Sequence, residues 1–494
     1  MLISDPASEW MRLALPVILQ EDLATSQTLL PSVVNGDSAA YQFGSTEVLR
    51  TTLEIRRGRI SIQAIVTDTS NQRSRQVIRV EEDSSVGLLP AANALAKQID
   101  DRATEFSTRN ARALQAYTAA AESTNSQTRI EMLDEAINVD PNFGLGYITL
   151  AEIVGRTREQ DLSALLRTGA THAPQFTPLD RARFNALRTQ LSNASLEEQQ
   201  KAQTSVLQLA PNNADALIAL GTDQFLEGNS GDGRKLFAKA LDLSPGNANI
   251  RNQLARELLD TRQFGDAEKL FASLNNNAPV LPELATCVLL EGDQRRADAI
   301  ANQFVDSVPD EVKQEYRAAW LALTGRLDQA IETMRGFSDP AAALVQIAIW
   351  QLMQGDFANA KKNASLAAMQ PAKGNNSLVT VAALLSEGDQ PPEQWREKVN
   401  VSALNDPSKQ ALLGYGFFLY AHYSQAADVW RKLLDESGGA DLRARAMLAS
   451  SLNHAGRGSE ARNILVQPFV PEFRDLYAAI AFREMRRLLK LEMK

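Results

Sequence analysis

Few residues in this 494-residue chain are of types that make or break bonds near neutral pH. It holds three histidines, His172, His422 and His454, and one cysteine, Cys287. A lone cysteine builds neither a disulfide framework nor a thiolate metal cage. His422 and His454 fall in successive segments, and two imidazoles without a nearby third ligand do not make a usual zinc site. Both read as ordinary helix or turn residues. Cys287 opens the apolar run CVLL and reads as an inert buried thiol. One stretch imitates a phosphate-binding loop: Gly228–Lys235, GNSGDGRK. Such a loop needs a lysine after its second glycine and then a hydroxyl that reaches a metal. Arg234 and Lys235 stand at those positions instead. No H-E-x-x-H, EF-hand loop or G-x-S-x-G is present. No catalytic residue, cofactor or metal is expected, and the chemistry to look for is recognition by contact.

Recognition needs a surface, and a period in the sequence supplies one. Pro211, Pro245 and Pro279 stand thirty-four residues apart. After Pro211 come Leu217, Leu220, Gly221 and Phe225, a turn at Gly228–Gly233, then Phe237 and Ala240. After Pro245 come Leu254, Ala255, Leu258, Ala267 and Phe271. The apolar residues recur at helical spacing. Gly221 with Gly233, and Ala255 with Ala267, put small side chains where two helices would cross. A larger residue there would overpack the crossing by about 1–3 kcal/mol. Each proline follows a second helix because it cannot continue one.

This pattern resembles the tetratricopeptide repeat, a pair of antiparallel helices stacked into a solenoid. The resemblance covers residues 105–471, about eleven repeats, irregular at 174–211 and 374–404. Residues 472–494 read as a closing helix whose cations Arg483, Arg486, Arg487 and Lys490 suit a solvated cap, or alternatively a partner or acidic-lipid contact. The resemblance implies a concave face lined by first helices. Carried over position by position, that face takes Asp215, Thr222 and Phe225, then Asn249, Asn252 and Arg256, then Val345 and Ile349, then Tyr415 and Phe418. Asn249, Asn252 and Arg256 would fall on one helix face and could hold a peptide backbone or carboxylate. Ile349 and Phe418 read equally as core between repeats if the register is shifted.

Residues 1–104 follow another rule. Arg12–Leu19 is an apolar run that reads as a strand, and Asp37–Phe43 reads as a short helix. The period then becomes two: Leu49, Thr51, Leu53 and Ile55 alternate with polar residues, Arg57–Gly58 turns a hairpin, and Ile60, Ile62, Ala64 and Val66 continue. Gln76–Val80 makes a third strand. Ser84 or Ser85 would cap a helix to about Asp100, with Pro90 in its first turn. The sum is a small α+β domain before a mainly α solenoid. Its segment 48–73, VLRTTLEIRRGRISIQAIVTDTSNQR, resembles the amino-terminal domain of the TolB periplasmic protein and the related FlgO-like domain, through Gly58, Arg59 and Asp68. Arg50 stands where that family usually has glycine. The resemblance implies a cell-envelope or periplasmic setting.

The net charge of −9 is mild, and no Lys/Arg block is present, which argues against nucleic acid as a partner. No apolar run reaches the ~18 residues that span a bilayer. Met1–Trp10 lacks the charged and apolar regions of a signal peptide, so a soluble, cytoplasmic chain is expected if the sequence is complete as given. The expected function is a scaffold that binds a protein or peptide, and the alternative is a regulatory component of a bacterial signalling system. Composition leaves the oligomeric state open.

Overall fold

The computed structural model describes residues 9–490 apart from 35, 43–44, 158, 193, 275–279, 371–380, 382–393, 401–404, 440 and 466–468. Pro279 and the Gly388–Asp389 turn expected in the irregular repeat fall outside the described residues. The chain is mainly helical, an array of paired helices preceded by a three-stranded antiparallel sheet. It divides into two units, Met1–Ile250 and Arg251–Lys494.

The first unit opens with α1 (Trp10–Asp22) and α2 (Asp37–Gln42), then β1 (Glu47–Arg56), β2 (Arg59–Asp68), β3 (Ser74–Asp83) and α3 (Leu88–Ile99). The strands pair in sequence order. Alternation places one face inward: Leu53 pairs with Ile62 and Ile62 with Val80, while Ala64 pairs with Ile78, and all five are buried. Arg57 and Gly58 both have positive φ, 50° and 77°, as a two-residue hairpin turn requires.

Two expectations fail here. Arg12–Leu19 is helix, not strand, so the expected earlier strand is absent among the described residues. A continuous apolar run carries no alternation and fits either structure. What decides is that Ala14, Leu15, Ile18 and Leu19 form one helical stripe, buried against the core that includes Leu88, Ala92 and Leu95 of α3. The start of α3 also differs. Asp83, not a serine, accepts the Ser85 N–H at 2.8 Å and closes a single 3-10 turn at Ser84–Val86. Gly87, at φ 84°, redirects the chain, and α3 begins at Leu88.

Four helix pairs complete this unit: α4 (Ala111–Glu122) with α5 (Ser126–Val139), α6 (Gly144–Thr157) with α7 (Glu159–His172), α8 (Pro178–Leu191) with α9 (Leu196–Leu209), and α10 (Ala214–Leu226) with α11 (Ser230–Leu243). Asn110, Asn125, Thr177, Ser195 and Asn213 cap helix starts by accepting backbone N–H groups with their side chains. The pair α10–α11 shows why the small residues recur. A Cβ on Gly233 would lie 2.7 Å from the Phe225 ring and 2.9 Å from the Gly221 carbonyl oxygen. A Cβ on Gly221 would lie 2.9 Å from the Phe237 ring. The two backbones therefore touch, with the two rings closing the gap edge to face at 6.1 Å.

Helix α12 (Ala248–Asp260) carries the boundary between the units. The second unit continues with α13 (Phe264–Ser273), α14 (Leu281–Leu290), α15 (Gln294–Ser307), α16 (Asp310–Leu323), α17 (Leu327–Met334), α18 (Pro340–Gln354), α19 (Phe357–Ala368), α20 (Gln394–Asn400), α21 (Asp406–Leu419), α22 (Tyr423–Glu436), α23 (Leu442–His454), α24 (Gly458–Ile464) and α25 (Ala478–Leu488). The crossing rule recurs: a Cβ on Gly414 of α21 would lie 2.5 Å from the Trp430 indole of α22.

Candidate peptide-binding grooves

In the first unit, helices α6, α8 and α10 present a face toward the end of α1 and the segment that follows it. Glu21 on α1 accepts from the Arg183 guanidinium on α8 at 2.5 Å, and both side chains are about four-fifths buried. Asn212 donates its amide to the Gln27 carbonyl at 2.9 Å. Ser26 closes a local turn by accepting the Thr28 and Leu29 N–H groups. These contacts hold Leu29–Ser32 across the helices and leave a cavity of about 410 Å³. Its lining mixes Leu29, Leu30, Pro31, Leu145, Ile148 and Ala219 with Gln190, Gln203, Asn212, Asn213 and Asn247, and its charged members are Glu21, Glu152, Arg183 and Asp215. Carboxamides that both donate and accept, alternating with apolar patches, suit a peptide main chain with small side chains.

The expected lining residues are placed unequally. Asp215 is exposed, in the first turn of α10, and borders this cavity. Thr222 is half-buried. Phe225 is 2% exposed and wedged over Gly233, so it fills the crossing inside its own repeat and cannot line the face. The register that selected it ignores that a helix this close to its partner turns its last apolar residue inward. Beside it, Asp223 is buried, and loss of hydration, then repulsion from Glu227, pushes its carboxyl up to about 6. Asn249 is exposed and falls in the first unit. Asn252 and Arg256 fall in the second. Arg256 is exposed but donates to Glu283 of α14 at 2.7 Å, so its charge is already matched within the array.

In the second unit the expected lining residues lie inside, Phe418 packed on Tyr423 and His454 of neighbouring helices and Tyr415 on the C-terminal segment. Val345, Ile349, Tyr415 and Phe418 are all buried, at 1, 0, 0 and 6% exposure. The segment before α25 lies along the first helices of four repeats. Phe473 packs against Tyr316 and Trp320 of α16, with ring centroids 6.4 and 5.7 Å away, and against Phe304 at 5.9 Å. Arg474 lies over the Tyr316 ring at 5.1 Å and pairs with Glu315 at 3.8 Å. Asp475 pairs with Arg443 of α23. The Leu476 carbonyl accepts from Gln346 of α18 at 3.0 Å. Tyr477 stacks on Tyr415 of α21, centroids 4.1 Å apart and planes 11° apart.

The helix α25 begins at Ala478 rather than Glu472, because the Asp475 carboxylate accepts the Tyr477 N–H at 2.8 Å and holds a turn there. Its Ala478, Ile480, Ala481, Phe482 and Met485 are buried, so it is no solvated cap. Glu484, 5% exposed, receives Ser450 at 3.0 Å and faces His454 Nε2 at 3.2 Å. Arg483 and Arg487 pair with it at 3.2 and 2.9 Å. Burial raises its carboxyl, but these two cations and the Ser450 and His454 contacts together leave it below the usual range.

The other singled-out residues make packing and hydrogen-bond contacts. His454 stacks on Tyr423 at 4.6 Å, and His172 on Tyr147 at 6.2 Å. Cys287 is 0% exposed, donates to the Phe264 carbonyl at 3.0 Å, and burial pushes its thiol up to about 12. Of Gly228–Lys235, Gly228 and Asn229 turn into α11 and the rest form its start, where Lys235 pairs with Asp232 at 2.7 Å. No His/Cys/Asp/Glu group suited to a metal occurs among the described residues, and no described helix is long and apolar enough to cross a membrane. Glu21, Arg183, Glu315, Gln346 and Arg443 carry no mark along the chain that singles them out. Their partners lie far along the chain, and only the aromatic spacing Phe469, Phe473 and Tyr477, between prolines and an amphipathic helix, marks the C-terminal segment in advance.

A sequence profile described as tetratricopeptide repeat matches residues 224–288. No curated protein matches. Among solved structures, a tetratricopeptide repeat protein from Parabacteroides merdae ATCC 43184 is similar at 14% identity and a TM-score of 0.32, over 55% of this chain and 99% of that one. The stretch that profile identifies as tetratricopeptide repeat, residues 224–288, begins at the α10–α11 crossing, where Phe225 packs over Gly233.

Proposed function

We propose that the chain is a non-catalytic scaffold that holds a protein or peptide ligand against the first helices of its repeats, entering at the cavity of the first unit. The observation that carries this reading is that cavity. Its 410 Å³ falls within the range of ordinary ligand sites, and its walls combine apolar patches with carboxamides and one buried ion pair. Asp215 at the rim and Thr222 on the same helix would set which ligand enters. The resemblance of residues 48–73 to a periplasmic domain supports a cell-envelope setting for the ligand.

The test is to fill and recharge the cavity with Ala219→Trp and Asp215→Arg, then compare affinity capture from native lysate by mass spectrometry. The expected outcome is selective loss of the captured ligand with an unchanged helical circular-dichroism spectrum. Recovery of the same proteins by the folded double variant would remove the cavity from the reading.

A further inference from the structure

The first helices of the second unit meet the segment before α25 one residue at a time. Between Phe473 and Tyr477, an aromatic ring, a cation, an anion, a main-chain carbonyl and a second ring each meet a different dedicated group. A helix buried only to complete a core packs on apolar area and needs no such register. We propose that this face is a receptor for a partner-protein segment of the pattern aromatic–basic–acidic–any–aromatic followed by an amphipathic helix. Phe473–Leu488 is its resident occupant in cis, and a partner of the same chemistry displaces it.

Two features make the occupant exchangeable. First, its buried charge travels with its own counter-ions. Glu484 pairs with Arg483 and Arg487 on the same helix, while the receptor contributes the Ser450 hydroxyl and the His454 imidazole. Departure therefore leaves Glu484 neutralised on its own helix, while Glu315 and Arg443 lose Arg474 and Asp475 and are paired again by a segment of the same charge order. Second, the resident fits imperfectly. The Tyr415 and Tyr477 hydroxyls are both buried and find no hydrogen-bond partner among the described residues. A segment that offers the receptor's Tyr415 hydroxyl a partner competes with an advantage. The receptor's Arg443 and Glu315 select charge order, acidic after basic. The inference rests on the scaffold reading but concerns a different surface, so capture at the first-unit cavity is unaffected if it fails.

The probe is a fluorescein-labelled synthetic peptide spanning Pro471–Lys490, titrated by anisotropy into the full chain. Asp475→Ala with Tyr477→Ala in the chain weakens the resident, and the peptide is expected to bind this variant at least tenfold more tightly than the unaltered chain. Adding Arg443→Glu is expected to reverse that gain, and a peptide carrying Asp475→Arg to restore it. No binding to the folded variant, or binding indifferent to Arg443→Glu, overturns the proposal. Hydrogen exchange on the unaltered chain tests it without substitution. Amides of α25 are expected to exchange through an opening that leaves α23 protected, and equal, slowest rates in both helices would make α25 a fixed part of the core.

Discussion

Asp22 shows how much one side chain can hide. It ends α1, is fully buried, and its carboxyl is pushed up to about 8, first by burial, then by Glu21 and Glu105, with Lys97 opposing. The Asn93 amide reaches it at 2.8 Å when that side chain is turned nitrogen-first. A folded-state value above the unfolded one means the folded protein holds the extra proton. The stability this provides is complete below about pH 4 and drains away as pH rises toward 8, by up to about 1.4 kcal/mol per pH unit. Asp22→Asn is expected to flatten that decline and to stabilise the first unit at pH 8. Hydrogen exchange of α1 at pH 5, 6.5 and 8 measures it, and a decline identical in both proteins refutes the assignment. Nothing in the sequence marked Asp22, because burial of an acid at a helix end depends on residues that are distant along the chain.

At the scale of elements, two glycines in one helix make opposite predictions. A Cβ on Gly233 would strike both the Phe225 ring and the Gly221 backbone, whereas a Cβ on Gly231 would meet nothing within 4 Å. Gly233→Val is expected to destabilise α10–α11 by about 1–3 kcal/mol. Gly231→Ala is expected to stabilise it by up to about 1 kcal/mol through helix propensity. Equal effects in urea titrations of the two variants would contradict the crossing geometry.

Elements of this kind were legible because their causes are local. Alternation exposed β1–β3, Arg57–Gly58 the hairpin, and paired small residues the crossings. The run Arg12–Leu19 misled because an unbroken apolar stretch has no period, and its helix is chosen by the stripe α3 offers it. Phe225 misled for a related reason: counting along a repeat places a residue around the helix but does not say how near the neighbouring helix lies.

Within each unit a repeat packs on its neighbours, so stability is a sum of local and adjacent contributions and not one all-or-none quantity. Gly414→Val, which would drive a side chain into Trp430, is expected to speed hydrogen exchange across 406–436 while leaving 214–243 unchanged. Faster exchange throughout both stretches would show a single cooperative block instead. The return of Phe473–Leu488 across four repeats is the feature sequence could least convey, since its partners Glu315 and Gln346 lie well over a hundred residues upstream.

Cys287 has a practical corollary. The chain's one sulfhydryl is sealed under α13 and α14, hydrogen-bonded to Phe264, and held in its unreactive protonated form. A maleimide dye added to the native protein should find nothing to label. Any cysteine introduced at the surface, on β3 or on the outer side of α11, thus becomes a single attachment point for a fluorophore or spin label with no background to subtract.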